Sequence, residues 1–216
     1  MTFNLTEAQE SIISRIIEAG GQPFAVGGCV RDAILGLAPK DIDIEVFGIE
    51  TGMFAEIMAE IGAKFVGSTE VGNSFPVWMA EGLDISLPRT EASVGDGTKD
   101  FETMVNPFIS PELAASRRDF TFNSMMRHMR TGETEDFFGG ADDLEAGRLI
   151  ALPNFEDDPL RVMRGMQFAG RFSLTADGDT LDRASAMFNK FAALPKARIG
   201  GEFWKLFTKS IKPSAG

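Results

Sequence analysis

The chain has 216 residues, 44% of them hydrophobic, and a formal net charge of −11. That length supports one sizeable core, or a core with a smaller appended unit, and the single cysteine, Cys29, excludes a disulfide framework and a cysteine-based zinc site. No apolar segment approaches the roughly 20 residues a membrane helix needs, and MTFNLTEAQE lacks a positive region followed by an apolar run, so a reducing, cytoplasmic setting without a membrane partner is expected.

An acidic balance argues against nucleic acid, whose partners are usually basic. The charge is uneven, however: residues 1–156 carry 11 Lys and Arg against 26 Asp and Glu, whereas 157–216 carry 10 against 6. The basic C-terminal quarter permits RNA contact, although solvated faces produce the same asymmetry.

In chain order, Thr6 to Ala19 pairs an N-cap threonine with Gln9 three residues on, followed by Ile12, Ile13, Ile16 and Ile17 and a Gly20-Gly21 stop, which predicts an amphipathic helix. Val26 to Gly48, VGGCVRDAILGLAPKDIDIEVFG, is the stretch the chain is organised around. The apolar run Pro23 to Val26 leads into the Gly27-Gly28 pair, and Val30, Ala33, Ile34 and Leu35 form a helical face ending at Gly36. Strand, glycine turn and helix follow one another.

Next comes an acidic strand. Alternation sends Asp41 and Asp43 to one face and Ile42 and Ile44 to the other. Two carboxylates so close repel, and the common compensation is a hard cation with oxygen ligands, Mg²⁺ with nucleotide phosphates above all. Thr51 to Ile61 predicts a second helix, and Ala63 to Val66, Phe75 to Ala80 and Leu83 to Leu87 read as strands, giving a sheet of about five. Asp84 is either a third carboxylate of the metal cage or an exposed strand residue. Glu91 to Thr103 is polar, glycine-containing and without period, which reads as a mobile loop.

In Ser116 to Met125, paired arginines precede Asp119, Thr121 and Asn123. Arg suits bidentate phosphate contact and Asn or Asp a ribose hydroxyl, while a surface ion pair is the plainer alternative. Met125 to Arg130 and Thr134 to Phe138 flank a Thr131-Gly132-Glu133 turn and read as a hairpin. From Glu156 the chain opens a helix in which Asp158, Arg161, Arg164 and Gln167 share a row. A carboxylate beside a guanidinium can read a base edge, with C and A fitting where U and G do not. Alternatively, Asp158 caps the helix and pairs with Arg161. Leu181 to Leu194 and Lys196 to Phe207 predict two further helices, with their Met, Phe and Trp residues in the core.

Taken together, GGCVRD with KDIDIEVFG, RRDFTFNSM, DFFGGADDLEAG and DDPLRVMRGMQFAGRF occur in the order and spacing of the head and neck of class II tRNA nucleotidyltransferases, the family of CCA-adding enzymes and bacterial poly(A) polymerases. The resemblance covers roughly residues 22 to 208. It implies an α+β fold: a polymerase-beta-like nucleotidyltransferase head over 1–152, then a helical neck over 153–216, truncated relative to the family, which continues into body and tail domains. It further implies Asp41 and Asp43 as catalytic ligands of Mg²⁺, Gly27, Gly28 and Arg31 at the triphosphate, and Arg118, Asp119 and Asn123 at the ribose and phosphates. Asp158 and Arg161 match the pair that templates CTP and ATP, and Arg164 a further nucleotide contact.

The reaction so implied is attack of a tRNA or other RNA 3′-hydroxyl on the α-phosphate of CTP or ATP. Gln167 stands where the family usually has a third Arg, Asp157 replaces a Glu, and Ala151 and Ala197 replace an Arg and a Glu. Weaker nucleotide affinity with retained chemistry is the expectation. Poly(A)-type addition to other RNAs and a nucleotide-binding module with little turnover are the alternatives. His128 is the only histidine, so the metal-dependent phosphohydrolase domain of some relatives is expected to be absent.

Overall fold

A computed structural model describes residues 3–39, 41–66, 76–93 and 101–216. In chain order the elements are α1 (Glu7–Glu18), β1 (Gln22–Val26), α2 (Gly28–Ile34), β2 (Ile42–Phe47), α3 (Thr51–Glu60), β3 (Lys64–Val66), β4 (Val77–Ala80), β5 (Leu83–Ser86), β6 (Arg89–Ser93), β7 (Phe101–Val105), α4 (Pro111–Ser116), α5 (Thr121–Ser124), β8 (Met126–His128), β9 (Thr134–Glu135), α6 (Gly140–Glu145), β10 (Arg148–Leu149), α7 (Leu160–Phe172), β11 (Thr175–Ala176), α8 (Gly178–Ala186) and α9 (Lys196–Lys209). By packing they form two compact units, residues 1–115 with 125–135, and residues 116–124 with 136–216. Segments 116–124 and 136–152 thus pack with the C-terminal helices.

The first unit is built on a seven-stranded mixed sheet in the order β3-β4-β5-β2-β1-β8-β9. It exceeds the expected five strands because the β8–β9 hairpin joins the same sheet through β1, with Phe24 opposite His128. Only β2 and β5 pair in parallel; the other neighbours are antiparallel. Thr6 and Gln9 form both halves of the expected capping box, which satisfies two amide donors at the start of α1. α1 buries Ile12, Ile13 and Ile16, and α3 buries Phe54, Ile57 and Met58. Phe54 meets Trp78 of β4 edge-on at 5.1 Å.

The stretch Glu91 to Thr103, expected to be a loop, instead contributes to a hairpin. β6 and β7 pair antiparallel from Arg89 opposite Val105 to Ser93 opposite Phe101. A ladder of backbone hydrogen bonds needs no apolar alternation, and its absence hid these strands. Residues 94–100 lie outside the described residues, as does Phe75 at the start of the expected fourth strand.

The second unit packs around four phenylalanines. Phe120 and Phe122 stack at 5.5 Å, Phe168 of α7 stands edge-on to both at 5.9 and 5.5 Å, and Phe155 lies 5.6 Å from Phe120. Burying each such ring contributes about 1.5–3 kcal/mol. Gly140 opens α6 where a Cβ would sit 2.2 Å from the Thr121 carbonyl oxygen, so only glycine lets α6 meet α5. The Asp136 carboxylate accepts from the Gly140 and Ala141 amides, and Asp143 accepts from the Thr121 hydroxyl at 2.7 Å. The motif DFFGGADDLEAG is therefore a packing device.

The expected helix from Leu181 to Leu194 ends at Ala186 and continues as a 3₁₀ segment, Phe188–Ala193. The expectation of core Met, Phe and Trp residues holds for Met187 but not for Phe188, Trp204 and Phe207, which are 76%, 72% and 69% exposed. α9 turns Glu202 and Leu206 inward, and helical spacing carries Trp204 and Phe207 to other faces.

Candidate functional site

The expected site residues fall into two groups, one in each unit. In the first, Gly27 has φ 72° and ψ −129°, a conformation open essentially to glycine, and its amide donates to the Met125 carbonyl at 3.3 Å. Gly28 begins α2. A Cβ there would lie 3.4 Å from Nη2 of Arg31, so the glycine keeps the chain low over that guanidinium. Arg31 itself is buried and donates from Nε and Nη2 to Asp32 Oδ1 at 2.8 and 2.6 Å.

Along β2 the expected alternation is present, with Ile42 and Ile44 buried and Asp43 exposed, as is Asp41 just before the strand. β5 brings Asp84 into direct register with Asp43. Burial pushes the Asp84 carboxyl above the usual carboxylate range, and the negative charge of Asp41 adds to the effect. The fold thus gathers Asp41, Asp43 and Asp84 at neighbouring positions at the starts of β2 and β5, and the Asp41 charge is felt at Asp84. Among the described residues, no three His, Cys, Asp or Glu side chains form a ready-made metal cluster. The donor set nevertheless suits a hard divalent cation, being all carboxylate oxygen with an electrostatic stress that such an ion relieves.

In the second unit the turn between α4 and α5 carries Arg117, Arg118 and Asp119. Asp119 Oδ1 accepts from the Phe120 amide and Asn123 Nδ2, both at 2.9 Å, while Oδ2 accepts from Arg164 Nε at 2.6 Å. Burial raises the Asp119 carboxyl, yet the Arg164 charge and the three donors outweigh it and hold the group below its ordinary range. For Arg164, burial opposes the charge and Asp119 overrides it. Arg118 is half-buried in the same turn.

Helix α7 begins at Leu160, whose amide donates to Asp158 Oδ1 at 2.9 Å, so the capping part of the plainer reading is present. The pairing part is not. Asp158 Oδ2 instead accepts from Arg198 of α9 at 2.8 Å. Arg161 donates to two backbone carbonyls, from Nη1 to Asn154 and from Nη2 to Arg117 at 2.7 Å. A carboxylate has about four acceptor sites and a guanidinium five N–H donors, so Asp158 and Arg161 keep capacity for a ligand.

Arg198 was not singled out by the sequence, nor was Arg183 of α8. Arg183 donates from Nε and Nη2 to Glu156 at 2.5 and 2.7 Å. Both arginines sit outside the row of Asp158, Arg161, Arg164 and Gln167, and nothing local marks partners 40 and 27 residues away.

Known proteins give a consistent comparison. The family model described as the poly A polymerase head domain matches residues 23–150. The multifunctional CCA protein of Xylella fastidiosa (strain M23) is 33% identical over 196 residues, taking in 87% of this chain and 44% of that protein. A Thermotoga maritima CCA-adding enzyme complexed with tRNA is 25% identical with a TM-score of 0.71, covering 93% of this chain and 46% of that one. A CCA-adding enzyme in complex with ATP is 26% identical with a TM-score of 0.69, covering 94% and 47%. The chain spans less than half the length of the curated relative it matches.

Proposed function

The chain belongs to the poly A polymerase head-domain family, and on that premise we propose that it is a tRNA nucleotidyltransferase of the CCA-adding type, transferring C and A from CTP and ATP to an RNA 3′ end. The observation that carries this reading is the exposed acidic face of Asp41 and Asp43, with Asp84 in register beside it, in the same unit as the Gly27-Gly28 turn. The likeness to CCA-adding enzymes in complex with tRNA and with ATP supports it. In this reading residues 1–152 serve as the catalytic head and 153–216 as the neck, and the protein works in the cytoplasm.

The reaction joins the 3′-oxygen of the RNA to the α-phosphorus of the nucleotide, breaks the bond to the β-phosphate oxygen, and releases pyrophosphate and the hydroxyl proton. Asp41 and Asp43 would hold Mg²⁺, with Asp84 in register beside Asp43. Bound Mg²⁺ would supply Lewis acidity, lowering the hydroxyl pKa and neutralising charge on the phosphates. Gly27 and Gly28 let the backbone approach the triphosphate, and Arg31 provides positive charge beneath the turn.

Base choice falls to α7. Asp158 accepts from the exocyclic amine of C or A, and Arg161 donates to a ring nitrogen or carbonyl. Asp119 serves by holding Arg164 and Asn123 in place, with Arg118 beside it for phosphate. The test is incubation with tRNA lacking its 3′ end, Mg²⁺ and each labelled nucleotide. Incorporation of C and then A with a stop after CCA supports the proposal; long A tails on unrelated RNAs point to poly(A)-type addition, and tight nucleotide binding without pyrophosphate release to a binding module.

A further inference from the structure

Arg183 lies in none of the motifs above, yet it holds the whole segment leading into α7. Besides its two bonds to Glu156, Nη2 donates to the carbonyls of Leu152 and Pro153 at 2.8 and 3.0 Å, and Nη1 reaches that of Ala151 at 3.4 Å. Its guanidinium also lies 5.6 Å from the centre of the Phe155 ring. One planar fork therefore grips residues 151–153 on one side and 155–156 on the other. Asn154 sits between them, and its carbonyl is one of the two that orient Arg161.

We propose that Arg183 is a positioning residue for nucleotide selection: by clamping residues 151–156 it fixes the Asn154 carbonyl and so aims the Arg161 guanidinium at the base. The inference rests on the reading of Arg161 as a base-contacting residue. Glu156 completes the clamp, and hydrogen bonding from Arg183 draws its carboxyl below the ordinary range. The fork touches the aromatic cluster only through Phe155; the contacts among Phe120, Phe122 and Phe168 do not involve it. Loss of Arg183 thus loosens the aim of Arg161 more than the core.

The experiment compares wild type, Arg183→Ala, Arg183→Lys and Glu156→Gln for KM and kcat with CTP, ATP and UTP on 3′-truncated tRNA, alongside thermal midpoints. In Arg183→Ala, KM for CTP and ATP rises about tenfold with kcat within about twofold, the pattern of lost binding rather than lost chemistry. The preference for CTP over UTP falls by a similar factor. Arg183→Lys, which keeps the charge but not the fork, recovers only part of it, and Glu156→Gln moves the same way by less. If Arg183→Ala does not fold, the Glu156→Gln preference decides. An unchanged preference in folded variants, with only the midpoint lowered, overturns the inference. A wild type that uses UTP as readily as CTP overturns the base-reading role of Arg161 itself.

Discussion

Arg164 of α7 donates through Nε to Asp119 Oδ2 at 2.6 Å, tying α7 to the turn before α5 across 45 residues of sequence. Asp119 is the buried member of the pair. Replacing it by Asn removes the charge while keeping the shape. The expected loss is about 1.5–3 kcal/mol, as for a hydrogen bond to a charged group, read by denaturant unfolding at neutral pH.

The same pair gives a pH dependence. Since the folded state holds the Asp119 carboxyl below its ordinary value, the unfolded chain takes up the proton first. The stabilisation is complete above the unfolded carboxylate range, near pH 3.9, and is lost as pH falls through the lowered folded value. Wild type should show this acid limb in its stability profile, and Asp119→Asn a shallower one. Equal slopes would mean the pair carries no proton linkage.

Asp84 behaves oppositely. Its carboxyl is raised by burial and by Asp41, so the folded state is favoured below the unfolded value and that advantage disappears as pH rises through the folded one. Asp84→Asn should stabilise the metal-free protein at pH 7 by about 0.5 kcal/mol, the scale of relieved like-charge opposition in a sheet. Magnesium at about 100 times its Kd should stabilise the wild type by about 2.7 kcal/mol. Asp41→Asn with Asp43→Asn should abolish that gain in a thermal-shift titration.

The two turn glycines should separate fold from binding. Gly27→Ala forces a side chain into a conformation that disfavours it and should destabilise by about 1–3 kcal/mol. Gly28→Ala meets only the tip of Arg31 at 3.4 Å and should leave the melting midpoint near wild type while raising KM for nucleotide. Similar effects on both quantities in the two variants would contradict this division.

Much of the first group was legible because its signals are local. The alternation of Asp41, Ile42, Asp43 and Ile44, the glycine pair before an apolar helical face, and the Thr6–Gln9 box each act within a few residues. What was not legible is long-range. Asp158 and Arg161 look like partners at three residues' spacing, yet Arg198 takes the carboxylate and backbone carbonyls take the guanidinium. Capping geometry and the path of 151–156 decide that competition, and neither is written in the helix row. β6 and β7 escaped because RTEAS and FETMV lack the apolar alternation that marks a strand.

Gln167 supplies a further check. It is 3% exposed, and among the described residues nothing accepts a hydrogen bond from Nε2. A buried amide donor left unmade is costly, so Gln167→Leu should be neutral or stabilising by about 1 kcal/mol in denaturant unfolding. A marked loss would show that the amide has a partner in solution.

The most direct test of the central claim is single-turnover extension of 3′-truncated tRNA by CTP and then ATP with Mg²⁺, comparing wild type with Asp43→Asn. C and A addition with stoichiometric pyrophosphate release is expected, slowed on the order of 10³-fold in the variant, the upper range for losing one electrostatic stabiliser of a transition state. Extension at an undiminished rate in folded Asp43→Asn, or none in the wild type, would contradict it.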